Sequence, residues 1–423
     1  MIEYALKIIM KNGMEGIVKE DNIKNKQVRF YNGRIGIIKE WDDKTMNIFM
    51  AKGSKTVSIE LDNPSKRKIE ETIEKNKKLM KLLSSSEFYG IEKNKKYKNN
   101  KIFDKDVLKN EKMISIAEES INYGGKAGIV FSSINKTIIA NTNGIMEKDK
   151  NSLCYLSVRS FYKNSSCHEV SCSRSIKNVD AGVTSVAHEM AKKGIKAKKG
   201  KEGRYNVIFS PLAFANLISN VATFYSAFYV DAGYSFLTEK IGEKVASEKI
   251  SIYDSGIAED GMASSKFDDE GIATQKTTII KNGILKNYIH NSTTAHKYKT
   301  RSTGNAGIVA PQPWNTIVLH GNSNFDEMVD EIKEGILITN LWYTRFHNYR
   351  AGDFSSVARD VAFYIKNGEM IPIKNIRVSD NMERILKNVE MLSKETKQIF
   401  WWEVENPVFT PYAMVRDVRI TTS

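Results

Sequence analysis

The sequence predicts an α+β protein in two parts: an N-terminal layered α/β domain on an antiparallel sheet, residues 1–200, and a C-terminal β-rich, barrel-like domain, residues 201–423. Three observations carry that prediction. Alternating apolar runs near the N-terminus are broken by turn signals such as Asn32-Gly33. Stretches with helical apolar spacing are interleaved with further alternating runs as far as Lys193. Beyond Arg204 helical spacing thins out, and short strands with Gly, Asn and Asp turns take over. At 423 residues the chain also exceeds the size at which one core keeps growing.

Residues 2–11 place Ile2, Leu6, Ile9 and Met10 near helical spacing and end at Asn12-Gly13, a C-cap pair. Four short strands are expected next, Gln27 to Tyr31, Arg34 to Trp41, Thr45 to Ala51 and Lys55 to Leu61, with a turn at Asp42-Asp43-Lys44. Asn63-Pro64 is expected to start a helix through Ile69, Ile73 and Leu79, with Asn63 as N-cap. Glu92 to Lys101 is polar and lysine-rich and reads as a mobile loop. Asp104 caps a second helix to about Tyr123. Strands at Ala127 to Phe131, Lys136 to Ala140, Leu153 to Tyr162 and Glu169 to Ser173 follow, then a helix from Asp180 to Lys193.

Lys196 to Arg204 has glycine and charge but almost nothing to bury, which makes it the clearest linker. The C-terminal part opens with a strand, Asn206 to Phe209, and a helix from Pro211 to about Tyr229. A late helix is expected from Asn381 to about Leu392.

Hydrophobic content of 41% suits a chain that buries a core and excludes a disordered tail. No run approaches the roughly 18 apolar residues of a spanning helix, and the N-terminus lacks a cleavage signal, so the cytoplasm is the expected compartment with no membrane partner. The net charge of +14 is uneven: residues 1–200 hold 39 Lys+Arg against 24 Asp+Glu, residues 201–423 hold 25 against 26. The lysine clusters alternate with asparagine and show no aromatic interleaving, so they read as solvated surface rather than a nucleic-acid interface. Cys154, Cys167 and Cys172 lie on strand-like stretches and read as buried free thiols, not as a disulfide framework or as a metal site with His168.

A zinc helix of the His-Glu type needs a second histidine on the same face, and His188-Glu189 is followed by Lys192 at that position, so the pair reads as helix surface. The informative stretch is Gly233 to Asn305: Gly233-Tyr-Ser-Phe-Leu, Ile241-Gly-Glu243, Phe267-Asp-Asp-Glu-Gly271, Lys281-Asn-Gly-Ile-Leu285 and Arg301-Ser-Thr-Gly-Asn305. Polar and glycine residues recur there where a core does not require them. In that order they resemble the C-terminal domain of the TldD/PmbA family, two-subunit metallopeptidases formerly called modulators of DNA gyrase. Gly352-Asp-Phe-Ser355, Tyr364-Ile-Lys-Asn-Gly-Glu369 and Pro411 to Ile420 extend the resemblance to the C-terminus. The block Trp342-Tyr-Thr-Arg-Phe-His-Asn348 departs from it.

In the catalytic TldD subunit the resemblance places a His-Glu-x-x-x-His helix just upstream. Here the corresponding positions fall on Ile218, Ser219 and Thr223, and no histidine or cysteine occurs from Lys192 to Ile289. The resemblance therefore implies a TldE/PmbA-type subunit, inactive alone, with no cofactor of its own. Zinc is expected in a TldD-type partner of a heterodimer, with unfolded peptide as substrate; a homodimer is the other assembly.

The candidate groove or turn residues are Asp268, Asp269, Glu270 and Gly271, and Ser302, Thr303, Gly304 and Asn305: carboxylates that cap amides or face a peptide's amino end, and a small-residue loop that admits another backbone. Two other readings stay open. One is a self-sufficient metallopeptidase with ligands from His290, His296 and His347; the other is a nucleic-acid or gyrase-associated binding protein.

Overall fold

The computed structural model describes residues 1–91, 96–98 and 101–422. The expected loop from Glu92 to Lys101 therefore lies largely outside the described residues.

Helix α1 (Ile2–Lys11) is followed by three long strands, β1 (Glu15–Tyr31), β2 (Arg34–Lys52) and β3 (Lys55–Asp62), and by α2 (Lys66–Met80). Then come α3 (Asn110–Asn122), β4 (Ala127–Asn141), β5 (Met146–Tyr162), β6 (Ser165–Ser173) and α4 (Val183–Lys193). The six strands form one antiparallel sheet in the order β3-β2-β1-β4-β5-β6.

Several expected breaks are absent because cross-strand partners neutralise polar residues that look like turn signals. Asp42-Asp43-Lys44 is strand, not turn: Lys24 pairs with Asp42 at 3.6 Å, Asn25 donates to Asp43 at 3.0 Å, and Lys44 pairs with Glu20 at 3.3 Å. The same holds for Ser132 to Asn135 inside β4, where Asn135 donates to Asp21 at 2.8 Å. Asn63 is not the cap of α2; it takes a left-handed φ of +47°, and Ser65 accepts from the Lys68 amide instead. Asp104 caps only a short 3-10 turn, Lys105–Leu108, before α3.

The C-terminal half contributes β7 (Lys198–Lys199), β8 (Gly203–Phe209), α5 (Pro211–Phe224), α6 (Ala227–Asp231), β9 (Ile252–Ser255), β10 (Lys276–Lys281), β11 (Ile284–Leu285), α7 (Ser292–Lys297), β12 (Asn315–Val318) and α8 (Phe325–Ile332). These are followed by β13 (Glu334–Ile338), β14 (Trp342–Asn348), β15 (Asp353–Val357), β16 (Ala362–Lys366), β17 (Glu369–Lys374), β18 (Ile376–Asn381), α9 (Met382–Lys387), β19 (Val389–Trp401) and β20 (Val404–Thr422). Among the described residues the strands join one large mixed sheet, in which β20 pairs with β8, β12, β18 and β19. The expected late helix is shorter than its apolar spacing suggests: it ends at Lys387, and Val389 onward pairs with β20. Within the expected linker, Lys198-Lys199 pairs with β17 and β8 begins at Gly203.

Helix α5 is mostly apolar, with one polar stripe of Asn216, Ser219, Asn220 and Thr223, and its apolar faces lie inside the largest core. Phe214, Leu217, Ile218 and Val221 are all fully buried there. The three cysteines are buried on β5 and β6. Among the described residues no helix is long and apolar enough to cross a membrane.

One buried cation joins the two halves. Arg174, just after β6, is 0% exposed. Its guanidinium donates to the Ile102 carbonyl at 2.7 Å and the Asn151 side chain at 2.8 Å in the N-terminal half, and to the carbonyls of Gly261 at 2.9 Å and of Met262 and Ser264 at 3.3 Å in the C-terminal half. Its own amide donates to Asp260 at 2.8 Å. A guanidinium has five donors in a fixed fork, and the main-chain dipoles converge on it, which offsets its desolvation.

Candidate functional site

The two polar motifs of the C-terminal half come together beneath the N-terminal sheet. Phe267 starts the first by burying its ring among Ile17, Ile139 and Ile145, which fixes the turn against β1 and β4. Asp268, 1% exposed, then spends both carboxylate oxygens on main chain: one accepts from the amides of Glu270 at 3.0 Å and Ile272 at 2.8 Å, the other from Ala306 at 2.9 Å. Asp268 therefore caps amides rather than facing a ligand.

Asp269 and Glu270 point to other neighbours. Asp269 pairs with Lys19 of β1 at 2.7 Å, and this neighbouring carboxylate, with Asp21, holds the Lys19 ammonium above its ordinary range although burial works the other way. Glu270 accepts from the Ser292 amide at 2.9 Å and hydroxyl at 2.7 Å, at the start of α7. Gly271 takes φ +78°, and its carbonyl accepts from the Tyr97 hydroxyl at 2.8 Å.

The second motif closes on the first. The Thr303 hydroxyl accepts from the His290 amide at 2.8 Å and the Thr303 amide donates to the His290 carbonyl at 3.1 Å, while Ser302 accepts from the Gly304 amide at 3.2 Å. Gly304 has φ +68°, and a Cβ there would meet the Ala273 carbonyl oxygen at 2.4 Å, so no other residue fits. Asn305, 1% exposed, donates to Asp254 at 2.7 Å and to the Gln312 carbonyl at 2.9 Å. The backbone that approaches this loop closely is thus the chain's own.

Two spaces open around these turns. A cavity of ≈ 230 Å³ is bounded by Lys19, Asn47, Asp269, Glu270 and Ser292, with the exposed Ile308 and Val309 at its edge. A groove of ≈ 1230 Å³ runs past Ser302, Thr303 and His296 and along Thr274 to Thr278. Strand β10 meets β9 on one side, but β11 covers only its Ile280 and Lys281 end. Among the described residues, then, no strand pairs with Lys276–Thr278 on the other side. Tyr89, stacked on His296 at 3.6 Å, forms the opposite wall, and Lys96, Lys98 and Arg301 stand at the rim.

The histidines are dispersed. His290 is buried beside Thr294, and burial pushes its pKa down to about 4. His296 lies under Tyr89, and His347 is exposed on β14. Among the described residues no group of three or more His, Cys, Asp or Glu side chains is placed to hold a metal. On α5, Ile218 is buried in the core, Ser219 donates to Asn406 at 2.7 Å and Thr223 is exposed. His188 rests edge-on against Tyr162, and Glu189 pairs with Lys192 at 2.8 Å.

Sequence reasoning missed Lys19, Tyr97, Asp254 and Arg174, which hold this region together. Only Asp254 left a trace, as a lone acid inside the short strand Ile252–Ser255.

Comparison with known proteins places this geometry among relatives. Residues 202–422 match the family model described as PmbA/TldA metallopeptidase C-terminal domain. An uncharacterized protein of Methanocaldococcus jannaschii is 29% identical over 327 residues, 73% of this chain and 76% of that one. A protein named metalloprotease PmbA homolog from Buchnera aphidicola is 28% identical over 296 residues, 69% of this chain and 62% of its own length. The crystal structure of TldE from Thermococcus kodakarensis superposes with a TM-score of 0.88 over 99% of both chains at 21% identity, a likeness of fold.

Proposed function

The chain belongs to the PmbA/TldD metallopeptidase family, and from that premise we propose that it is the non-catalytic, TldE/PmbA-like subunit of a cytoplasmic zinc metallopeptidase complex that degrades or processes unfolded peptides. The observation that carries this reading is the ≈ 1230 Å³ groove along the edge of β10 at Lys276–Thr278, where among the described residues no strand pairs, although the Asn287 side chain donates to the Thr278 carbonyl at 2.8 Å. A strand edge offers main-chain donors and acceptors at the repeat of an extended peptide, so it holds polypeptide with little regard to side chains. The rim cations Lys96, Lys98, Lys276 and Arg301 suit acidic groups of such a chain.

The family's zinc does not fit the residues present on α5. Ile218 has no donor atom, the Ser219 hydroxyl is engaged by Asn406, and Thr223 is a neutral alcohol, a poor ligand for zinc beside thiolate or imidazole. The chain's own residues bind and orient: β10 pairs with the peptide, and Tyr89 with His296 walls it in. Scission falls to a TldD-type partner that carries the metal.

The test is peptide hydrolysis by this chain alone, by a TldD-type subunit alone and by the two mixed, with metal content measured on each. Activity in the mixture that exceeds the sum of the parts, with zinc on the partner, is the expected result. Full hydrolytic activity of this chain by itself, lost to a chelator, overturns the proposal.

A further inference from the structure

The block Trp342 to Asn348 has no part in the groove. Trp342 instead lines a separate cavity of ≈ 400 Å³, bounded by Arg29, Ser157, Arg159 and His168 of the first sheet and by Trp342, Trp401 and Trp402 of the C-terminal half. That volume falls within the roughly 300–1,000 Å³ of small-ligand sites.

The three indoles pack edge to face: Trp342 lies 5.0 Å from both Trp401 and Trp402, and His168 stands edge-on to Trp401 at 4.5 Å. Arg359 and Arg159 lie over the Trp342 ring at 4.0 and 4.9 Å. Beneath them Asp360 accepts from Arg159 at 3.2 Å and from Asn340 at 3.0 Å, and His168 meets Ser157 at 2.9 Å. Burial holds that histidine neutral, its pKa pushed down to about 3.

The hydrogen-bonding balance of this cavity is one-sided. Arg159 Nε, Trp342 Nε1 and Trp401 Nε1 have no acceptor among the described residues, and being shielded from water they lie behind the cavity surface and become reachable only when an indole shifts. Trp342 and Trp401 are 7% and 3% exposed. No Asp or Glu lines the cavity, and Arg29 stands exposed at its mouth with no ion pair among the described residues. Aromatic walls and two arginines, of which Arg159 is already paired with Asp360 and Arg29 stands at the mouth, call for a ligand with a large apolar face and acceptor oxygens that bear negative charge. Trp402, 60% exposed, packs edge to face on Trp342 at 5.0 Å and presents its outer side to whatever enters. The backbone is shaped for this: β14 shifts register between Trp342 and Arg345, and Tyr343 takes a φ of +54°, which sends Trp342 inward and Tyr343 out.

We propose that this cavity binds a monocarboxylate carried on an apolar aromatic body, either a free arylalkanoic acid or the C-terminal residue of a short peptide. The site needs no partner subunit, so it stands or falls apart from the peptidase reading.

The full chain is titrated, by calorimetry and tryptophan emission, with 3-phenylpropionate, with its amide, and with acetyl-Ala-Phe bearing a free or an amidated C-terminus. Saturable binding of the acid with the amide about tenfold weaker is expected, the loss that removal of one charge-assisted hydrogen bond brings. Binding of the free peptide as well assigns the site to peptide C-termini; binding of the arylalkanoic acid alone assigns it to small molecules. Arg29→Gln and Trp402→Ala alter exposed side chains, so the fold survives, and each should weaken the acid about fivefold or more, as judged by calorimetry. No saturable binding, equal binding of acid and amide, or unchanged binding by both variants overturns the proposal.

Discussion

Asn305 donates its side-chain amide to the Asp254 carboxylate across a buried contact of 2.7 Å, linking the small-residue loop to the middle strand β9. Burial pushes the Asp254 pKa up to about 7, against the pull of Asn305 and of the Trp314 amide at 2.8 Å toward the charged form. In the unfolded chain the same group titrates near its ordinary value of about 3.9. Between those two values the folded state binds the extra proton, so this residue's contribution to stability falls as pH rises from about 4 to about 7, by about 1.4 kcal/mol per unit at most. Asp254→Asn should remove that slope, and urea denaturation of both proteins from pH 5 to pH 8 should show the variant gaining on the parent as pH rises. Parallel curves would show that Asp254 does not titrate there.

Gly304→Ala should destabilise the chain by about 1–3 kcal/mol, because the new methyl group meets both an unfavourable φ of +68° and the Ala273 carbonyl oxygen at 2.4 Å. Gly53→Ala serves as the control: its φ of +58° is similar, but nothing lies within 4 Å of the new atom. The difference in denaturation midpoint between the two variants measures the close approach alone.

The Lys19–Asp269 pair, whose side chains are 24% and 22% exposed, couples β1 to the acidic turn. A double-mutant cycle with Lys19→Met and Asp269→Asn should give a coupling energy of about 1–2 kcal/mol that shrinks little in high salt. A coupling near zero would reduce the pair to an ordinary surface contact.

The thiols should be silent in the folded state. Burial pushes Cys154 up to about 12 and raises Cys167 and Cys172 as well, so thiolate is scarce at neutral pH. A chromogenic disulfide reagent should label none of the three cysteines within minutes in buffer and all three in concentrated urea. Rapid native labelling of Cys172, whose Sγ lies 3.0 Å from the Gln398 carbonyl, would reveal local opening of β6 from β19.

Helix α1 was legible because its apolar residues repeat at helical spacing and Asn12-Gly13 ends it. Strand β1 was not, since its first half, with Lys19, Glu20, Asp21 and Asn22, carries no period that one strand alone makes meaningful. Those residues are at ease only because β2 and β4 supply partners from elsewhere in the chain. The same division applies at the candidate site. Gly304 announced a tight approach by its residue type, whereas Ala273, which it meets, lies 31 residues earlier, and His290, which bonds to the neighbouring Thr303, lies 13 residues before that threonine; neither has a motif of its own. Trp342 stood out as foreign to the resemblance, but Trp401, Arg159 and His168 reach it from three other strands, a meeting that spacing along the chain does not reveal.

Arg174 bears on how the proposed peptide would get in. A guanidinium riveted to acceptors on both halves forbids the clamshell motion by which many receptors engulf a compact guest, since parting them would strand a charge away from its carbonyls. The trough beside β10 is therefore a fixed gauge. If the trough holds polypeptide as proposed, slack, threadlike chains would pass it and bulky folded bodies would not, so selection would act on the state of the guest before any of its residues is read.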